Sequence, residues 1–188
     1  MLDLNSINPK KIFMKKLLTI LLLISVFSFD YSNLNAQTFD MDSNALNLGI
    51  GVGGRFGLGF GVHASYEQAF KKTGDFGIIG VGAMTGLRFS DAGLFGDFAN
   101  YRELAIAPRA TYHFSVIDVE KLDVYAAVQI GISLVHTSSD NTNISENDVD
   151  IVAGPVAGVR YQLSNGFNIF GEVGYNLFFA TGGLAFSF

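Results

Sequence analysis

The stretch Phe167–Phe188, FNIFGEVGYNLFFATGGLAFSF, decides the fold. Taken in twos, Phe167, Ile169, Val173 and Tyr175 share one face, and Asn168, Glu172 and Asn176 share the other. After a short break, Leu184, Phe186 and Phe188 fall together, opposite Thr181, Ala185 and Ser187. A period of two with one apolar face marks a half-buried β-strand. Glu172, set among large apolar neighbours, requires a polar side to point into. Left open, such an apolar final strand is an aggregation-prone edge. Pairing it with the first strand of the chain removes the edge, so the stretch predicts a β-barrel sealed by its last hairpin.

The same alternation runs back through the chain. Asn44–Gly53 sets Leu46, Leu48, Ile50 and Val52 against Asn47 and three glycines, and Gly59–Phe70 sets Phe60, Val62 and Tyr66 against His63, Ser65 and Glu67. Phe76–Phe89 carries Arg88 on its sparse face, and Arg102–Phe114 carries Glu103, Arg109, Thr111 and His113 on its own. Leu122–His136 opposes Val124, Val128 and Ile130 to Tyr125, Gln129 and Ser133, and Val149–Leu163 opposes Ile151, Val159 and Tyr161 to Asp150, Arg160 and Gln162. With the closing hairpin this makes eight segments of roughly ten residues, the length a tilted strand needs to cross a bilayer core. Pro108 falls within a segment and predicts a bulge there. Short turns at Lys71–Asp75, Ser115–Lys121 and Ser164–Gly166 alternate with longer polar loops at Ser90–Tyr101 and Thr137–Asp148. That asymmetry predicts both termini and the short turns on the periplasmic side, with the loops outside. Tyr66, Phe70, Tyr112, Phe114, Tyr161, Phe167, Phe186 and Phe188 gather near the short-turn end of the apolar face, as an interfacial girdle does. The fold class predicted is all-β: an eight-stranded antiparallel up-and-down transmembrane barrel.

Composition agrees. Among 188 residues, 22 glycines argue against a helical bundle, since each interior glycine costs a helix about 1 kcal/mol. No apolar run beyond the N-terminus reaches the roughly 18 residues of a membrane helix. The chain has no cysteine, which excludes disulfides, thiolate metal sites and a cysteine nucleophile. A net charge of −5 offers nothing to nucleic acid. Lys10, Lys11, Lys15 and Lys16 precede the apolar run Leu17 to Phe29, and Leu34-Asn35-Ala36 supplies a cleavage site. This is the order of an export signal, with Met14 an alternative start. The predicted organisation is a cleavable signal at 1–36, a short periplasmic lead-in at 37–43 and the barrel at 44–188. Removing 1–36 takes away four lysines and two aspartates and leaves the mature chain at −7.

The chain resembles the small eight-stranded outer-membrane barrels of the OmpA/OmpX-like, or porin family, type found among Bacteroidetes. The resemblance rests on Leu34-Asn35-Ala36-Gln37, Ala107-Pro108-Arg109-Ala110-Thr111-Tyr112-His113-Phe114, Phe170-Gly171-Glu172-Val173-Gly174-Tyr175 and Leu184-Ala185-Phe186-Ser187-Phe188. It covers the whole mature chain, but with patterns that specify architecture rather than activity. It implies residence in outer-membrane lipid. It also implies insertion by the barrel assembly machinery, which reads a C-terminal strand ending in phenylalanine: here Leu184, Phe186 and Phe188. The chain departs from OmpA itself in ending with that strand rather than continuing into a peptidoglycan-binding domain.

Eight strands leave an interior only wide enough for side chains to fill. The candidate site is therefore the inward set Glu67, Arg88, Glu103, Arg109, Gln129, Arg160 and Glu172, with His63 and His113. Both signs are present in similar number, which suits an ion-pair network better than a conducting path. Arg88 and Glu103 are expected to face each other, and Arg160 to reach Glu172 across one diagonal. His63, Ser65 and Glu67 share a face and contain the residue types of an outer-membrane lipid hydrolase. However, they point inward, away from lipid. Gly49-Ile50-Gly51-Val52-Gly53-Gly54 matches a dinucleotide fingerprint by letter, but no helix follows to receive a phosphate. Its glycines instead relieve crowding inside a narrow barrel. The oxygen-rich Asp140, Asn141, Asn143, Glu146, Asn147 and Asp148 lack the glycine and spacing of a calcium loop. The function predicted is a structural or interaction barrel with no enzymatic activity and no cofactor, its loops 90–101 and 137–148 meeting an external ligand. Its rivals are a narrow transport channel, a lipid-modifying hydrolase and a soluble lipocalin-like barrel. The last would need its apolar face inside.

Overall fold

The computed structural model describes residues 39–188 apart from 56–57, 95–96, 118 and 140–143, with the backbone alone at 92–94, 97–99 and 144. The signal at 1–36 thus lies outside the described residues, as do Asp140, Asn141 and Asn143. Eight strands run in chain order: β1 (Asn44–Val52), β2 (Gly59–Lys72), β3 (Gly77–Leu94), β4 (Asp97–Phe114), β5 (Leu122–Ser139), β6 (Ile144–Ser164), β7 (Phe167–Gly174) and β8 (Ala180–Ser187). Every neighbouring pair is antiparallel, and β8 returns to β1 to close the ring. Among the described residues there is no helix.

The seam is made where the alternation predicts, with Leu48 opposite Leu184 and Leu46 opposite Phe186. It is pinned at its end by reciprocal backbone bonds between Asn44 and Phe188 (2.8 and 3.0 Å). Bulges occur between Ala69 and Lys71 and between Gln162 and Ser164. Pro108 is not one of them. It lies opposite Ala83 in an unbroken β3–β4 register, and the β4–β5 register is the same on both sides of it. A proline removes one ladder donor without requiring an extra residue.

The larger correction concerns the two long loops. Ser90–Tyr101 and Thr137–Asp148 are mostly strand: β3 pairs β4 up to Leu94 and Asp97, and β5 pairs β6 up to Ser139 and Ile144. On the flanks, β2 reaches β3 only as far as Ser90, and β7 reaches β6 only from Val156. A four-stranded sheet, β3 to β6, therefore rises past the rim of the ring on one side. The polar composition read as loop was that of strands without a packed face, to which periodicity of hydrophobicity is blind.

The distribution of side chains is inverted relative to a soluble barrel. Arg88, Glu103, Arg160 and Tyr125 are buried inside, whereas Ile50 is 69 % and Val128 62 % exposed on the outer wall.

Candidate functional site

The lumen is filled in tiers. At the short-turn end, Phe39 folds back into the mouth and stacks flat on the His113 ring (centroids 3.7 Å apart, planes at 10°), beside Ala45 and Ile78. His113 hydrogen-bonds Asp123 Oδ1 through Nδ1 (2.9 Å) and Thr111 Oγ1 through Nε2 (3.2 Å). The lead-in at 37–43 thus includes a plug, with Phe39 buried in the mouth.

Above this sits Arg160. Its Nη2 donates to Glu67 Oε1, its Nη1 to Asp123 Oδ2 (3.0 Å) and its Nε to Asn47 Oδ1 (3.1 Å). The guanidinium also lies 4.5 Å from the Tyr125 ring centroid, a cation–π distance. Arg109 engages Glu172 with both Nη atoms (3.2 and 2.6 Å), and the Tyr125 hydroxyl donates to the same carboxylate (2.8 Å). Planar bidentate pairing of this kind is what allows a buried guanidinium to be satisfied. Gly158 is needed opposite, because a Cβ there would fall within the Tyr125 ring.

Higher still, the β7–β8 connection dives inward and buries Leu177 and Phe178 against Met84, Ala105, Ala107 and Val152. Glycines of β1 and β3 make room for it: a Cβ on Gly51 would lie 2.3 Å from Phe178 Cγ, and one on Gly86 would lie 2.6 Å from Leu177 Cδ2. At the rim, Arg88 Nε donates to Glu103 Oε2 (3.2 Å), and Arg55 Nη2 donates to Glu103 Oε1 (3.1 Å).

Of the predicted inward residues, Glu67, Arg88, Glu103, Arg109, Arg160 and Glu172 are all buried and ion-paired, and Arg88 stands directly opposite Glu103. The partner expected for Arg160 is wrong. It faces Phe170 across the ladder, but its carboxylates are Glu67 and Asp123, while Glu172 turns to Arg109. Gln129 is buried beside Arg109, yet neither amide atom finds a protein partner, and nor does the hydroxyl of Ser133. Asp123, Asn47, Phe39, Arg55, Leu177 and Phe178 were not foreseen as lumen residues with a role. Asp123 shares the parity of Tyr125 and was legible, whereas the other five lie in connections or were hidden by neutral side chains.

His63, Ser65 and Glu67 do not form a catalytic relay. Ser65 accepts from Asn47 Nδ2 (3.0 Å), Glu67 is held by Arg160, and His63 packs towards Phe170 with its Nδ1 unpartnered. No cluster of metal-ligating side chains occurs among the described residues. The sequence matches no model of a known protein family and no curated protein.

Proposed function

We propose that this chain is an integral outer-membrane β-barrel with a structural and interaction role, its lumen filled by paired charges and its tall sheet exposed outside the cell. The observation that carries the reading is the inverted wall. Each large aliphatic or aromatic side chain left in water forfeits roughly 1.5–3 kcal/mol of burial, so an apolar belt this extensive would forfeit tens of kcal/mol in aqueous solution. Lipid removes that loss. The strand lengths, the aromatic girdle and the resemblance to small outer-membrane barrels support the same placement. They also support assembly through the Leu184/Phe186/Phe188 strand and export by the signal at 1–36. Envelope fractionation followed by gel electrophoresis with and without heating tests it. The expected result is an outer-membrane protein whose unheated form migrates differently, and recovery in a soluble fraction refutes the proposal.

A second reading, a narrow transport path, is favoured by the unpartnered Gln129 amide and Ser133 hydroxyl, which suit water rather than protein. Leu177 and Phe178 above and the Arg109–Glu172 pair below favour the filled lumen over this reading.

A further inference from the structure

We propose that Phe39 is a proton-controlled latch on the short-turn mouth of the barrel: it stays inserted while His113 is protonated and swings out when that ring is neutral. The device goes beyond the structural role above. Only the statement that this mouth faces the periplasm rests on that role.

A small turn holds the lead-in. The Ser43 amide donates to the Asp40 carbonyl (3.0 Å), and the Asp40 amide donates to Ser43 Oγ (2.8 Å). Behind the turn, the Ser43 carbonyl accepts from the Ala69 amide (3.0 Å) and Asn44 is tied to Phe188, so the chain is fixed from Ser43 onward. Asp40, Met41 and Asp42 are exposed, whereas the Phe39 ring is buried. The position of the lead-in therefore depends on what that one ring touches.

The ring lies flat on His113, with Arg160 Cζ 5.9 Å from its centroid and Ala45, Ala69 and Ile78 beside it. Two basic side chains thus address one π system. Arg160 is charged throughout the accessible pH range, and His113 is the one that varies. The groups facing His113 come from every wall. Glu67 of β2 has Oε2 3.5 Å from Nε2, and Asp123 of β5 has Oδ1 2.9 Å from Nδ1. Tyr125 of β5 packs against its ring, and Arg160 of β6 is paired with both carboxylates. Thr111 on its own strand is uncharged, as is Ile78, its ladder partner on β3. The lead-in itself adds Asp40 and Asp42 just outside.

With an imidazolium at 113, both ring nitrogens donate towards carboxylates and the formal charges cancel, His113 and Arg160 against Glu67 and Asp123. A neutral ring leaves one negative charge in excess in a buried cluster. It also removes one of the two cations from the electron-rich face of Phe39. An uncompensated buried charge is costly unless water reaches it, and the place where water enters is the one that Phe39 fills. The inserted state is thus the one that binds the extra proton, so it is favoured at low pH and lost as pH rises through the titration of His113. The ratio of inserted to released ring should fall at least about tenfold, the size of one desolvated cation–π contact.

The test places 4-fluorophenylalanine at position 39 alone, in the purified mature barrel in lipid nanodiscs, and follows its fluorine resonance from about pH 6 to about pH 9. Broadening by a soluble gadolinium chelate distinguishes the released ring from the inserted one. The expected result is a protected resonance at the acid end and an exposed one whose share rises tenfold or more towards the alkaline end. His113→Gln, which cannot be protonated, should show the larger exposed share at every pH. Asp123→Asn restores the charge balance with a neutral ring and should keep Phe39 inserted across the whole range, a rescue that a packing role alone does not produce. A parent resonance that stays protected throughout overturns the proposal, as does a titration that persists in His113→Gln. Should His113→Gln fail to fold, Asp123→Asn decides: release with rising pH in that variant overturns the proposal. Failure of the barrel to enter nanodiscs refutes the membrane reading instead, and the latch is then read from the same resonance in solution.

Discussion

Removing one partner of the Arg109–Glu172 pair should destabilise the barrel far more than removing both. Both side chains are about 1 % exposed, and the pair is bidentate. Glu172→Met leaves a buried guanidinium and a Tyr125 hydroxyl without their acceptor, and Arg109→Met leaves a buried carboxylate. Each should cost about 3–5 kcal/mol, because the desolvation of the surviving charge is no longer offset. The double variant leaves no charge behind. Two methionines occupy comparable length and are flexible enough to fill the space, so the residual loss is the stranded Tyr125 hydroxyl, about 1–3 kcal/mol. The double variant should thus be more stable than either single. The assay is a urea titration in lipid vesicles, reading the folded fraction by the mobility of unheated samples. Tryptophan fluorescence is not an option, since the chain has none. If Glu172→Met lies within about 1 kcal/mol of the parent, water reaches the pair and the desolvated burial assumed for it is wrong.

Three further outcomes follow from the packing. Phe39→Ala removes the ring stacked on His113 and within 5.9 Å of the Arg160 guanidinium, and should cost about 3 kcal/mol in the same titration, with Met41→Ala, an exposed neighbour, near neutral. Phe188→Asp should deplete the protein from the outer-membrane fraction while its synthesis continues; normal levels there would mean that the terminal aromatic is not read during assembly. Purified protein in planar bilayers should show no stable ohmic steps, and Phe178→Ala should still show none, because the Arg109–Glu172 and Arg160–Glu67 pairs remain below it. Reproducible steps abolished by a bulky residue at Gln129, whose amide lies in the lumen without a protein partner, would support the transport reading.

The alternation of side chains was enough to say which strand residues face the lumen, because a strand offers only two faces and a misassigned residue would bury a charge in the wrong place. It placed Glu67, Arg109, Arg160 and Glu172 inside, and it brought the last strand to the first, while the register of that seam, Leu48 opposite Leu184, came from the structure. Local hairpin register gave Arg88 opposite Glu103 for the same reason: fifteen residues apart, they are tied by one turn. Pairing across the lumen was not legible. Arg160 meets Glu67 at a separation of 93 residues and Arg109 meets Glu172 at 63, and both depend on strand tilt and stagger, which exist only once the ring closes. The inward dive of Leu177 and Phe178 was equally invisible, since a short apolar run beside a turn has no period to read. Its consequence, that no described strand pairs the upper half of β6 on the side away from β5, is a property of where another segment went. The sequence by itself determined which face each residue takes, a local matter of backbone geometry. Only the closed structure decided which walls touch and which edge is left open, because those are set by the ring as a whole.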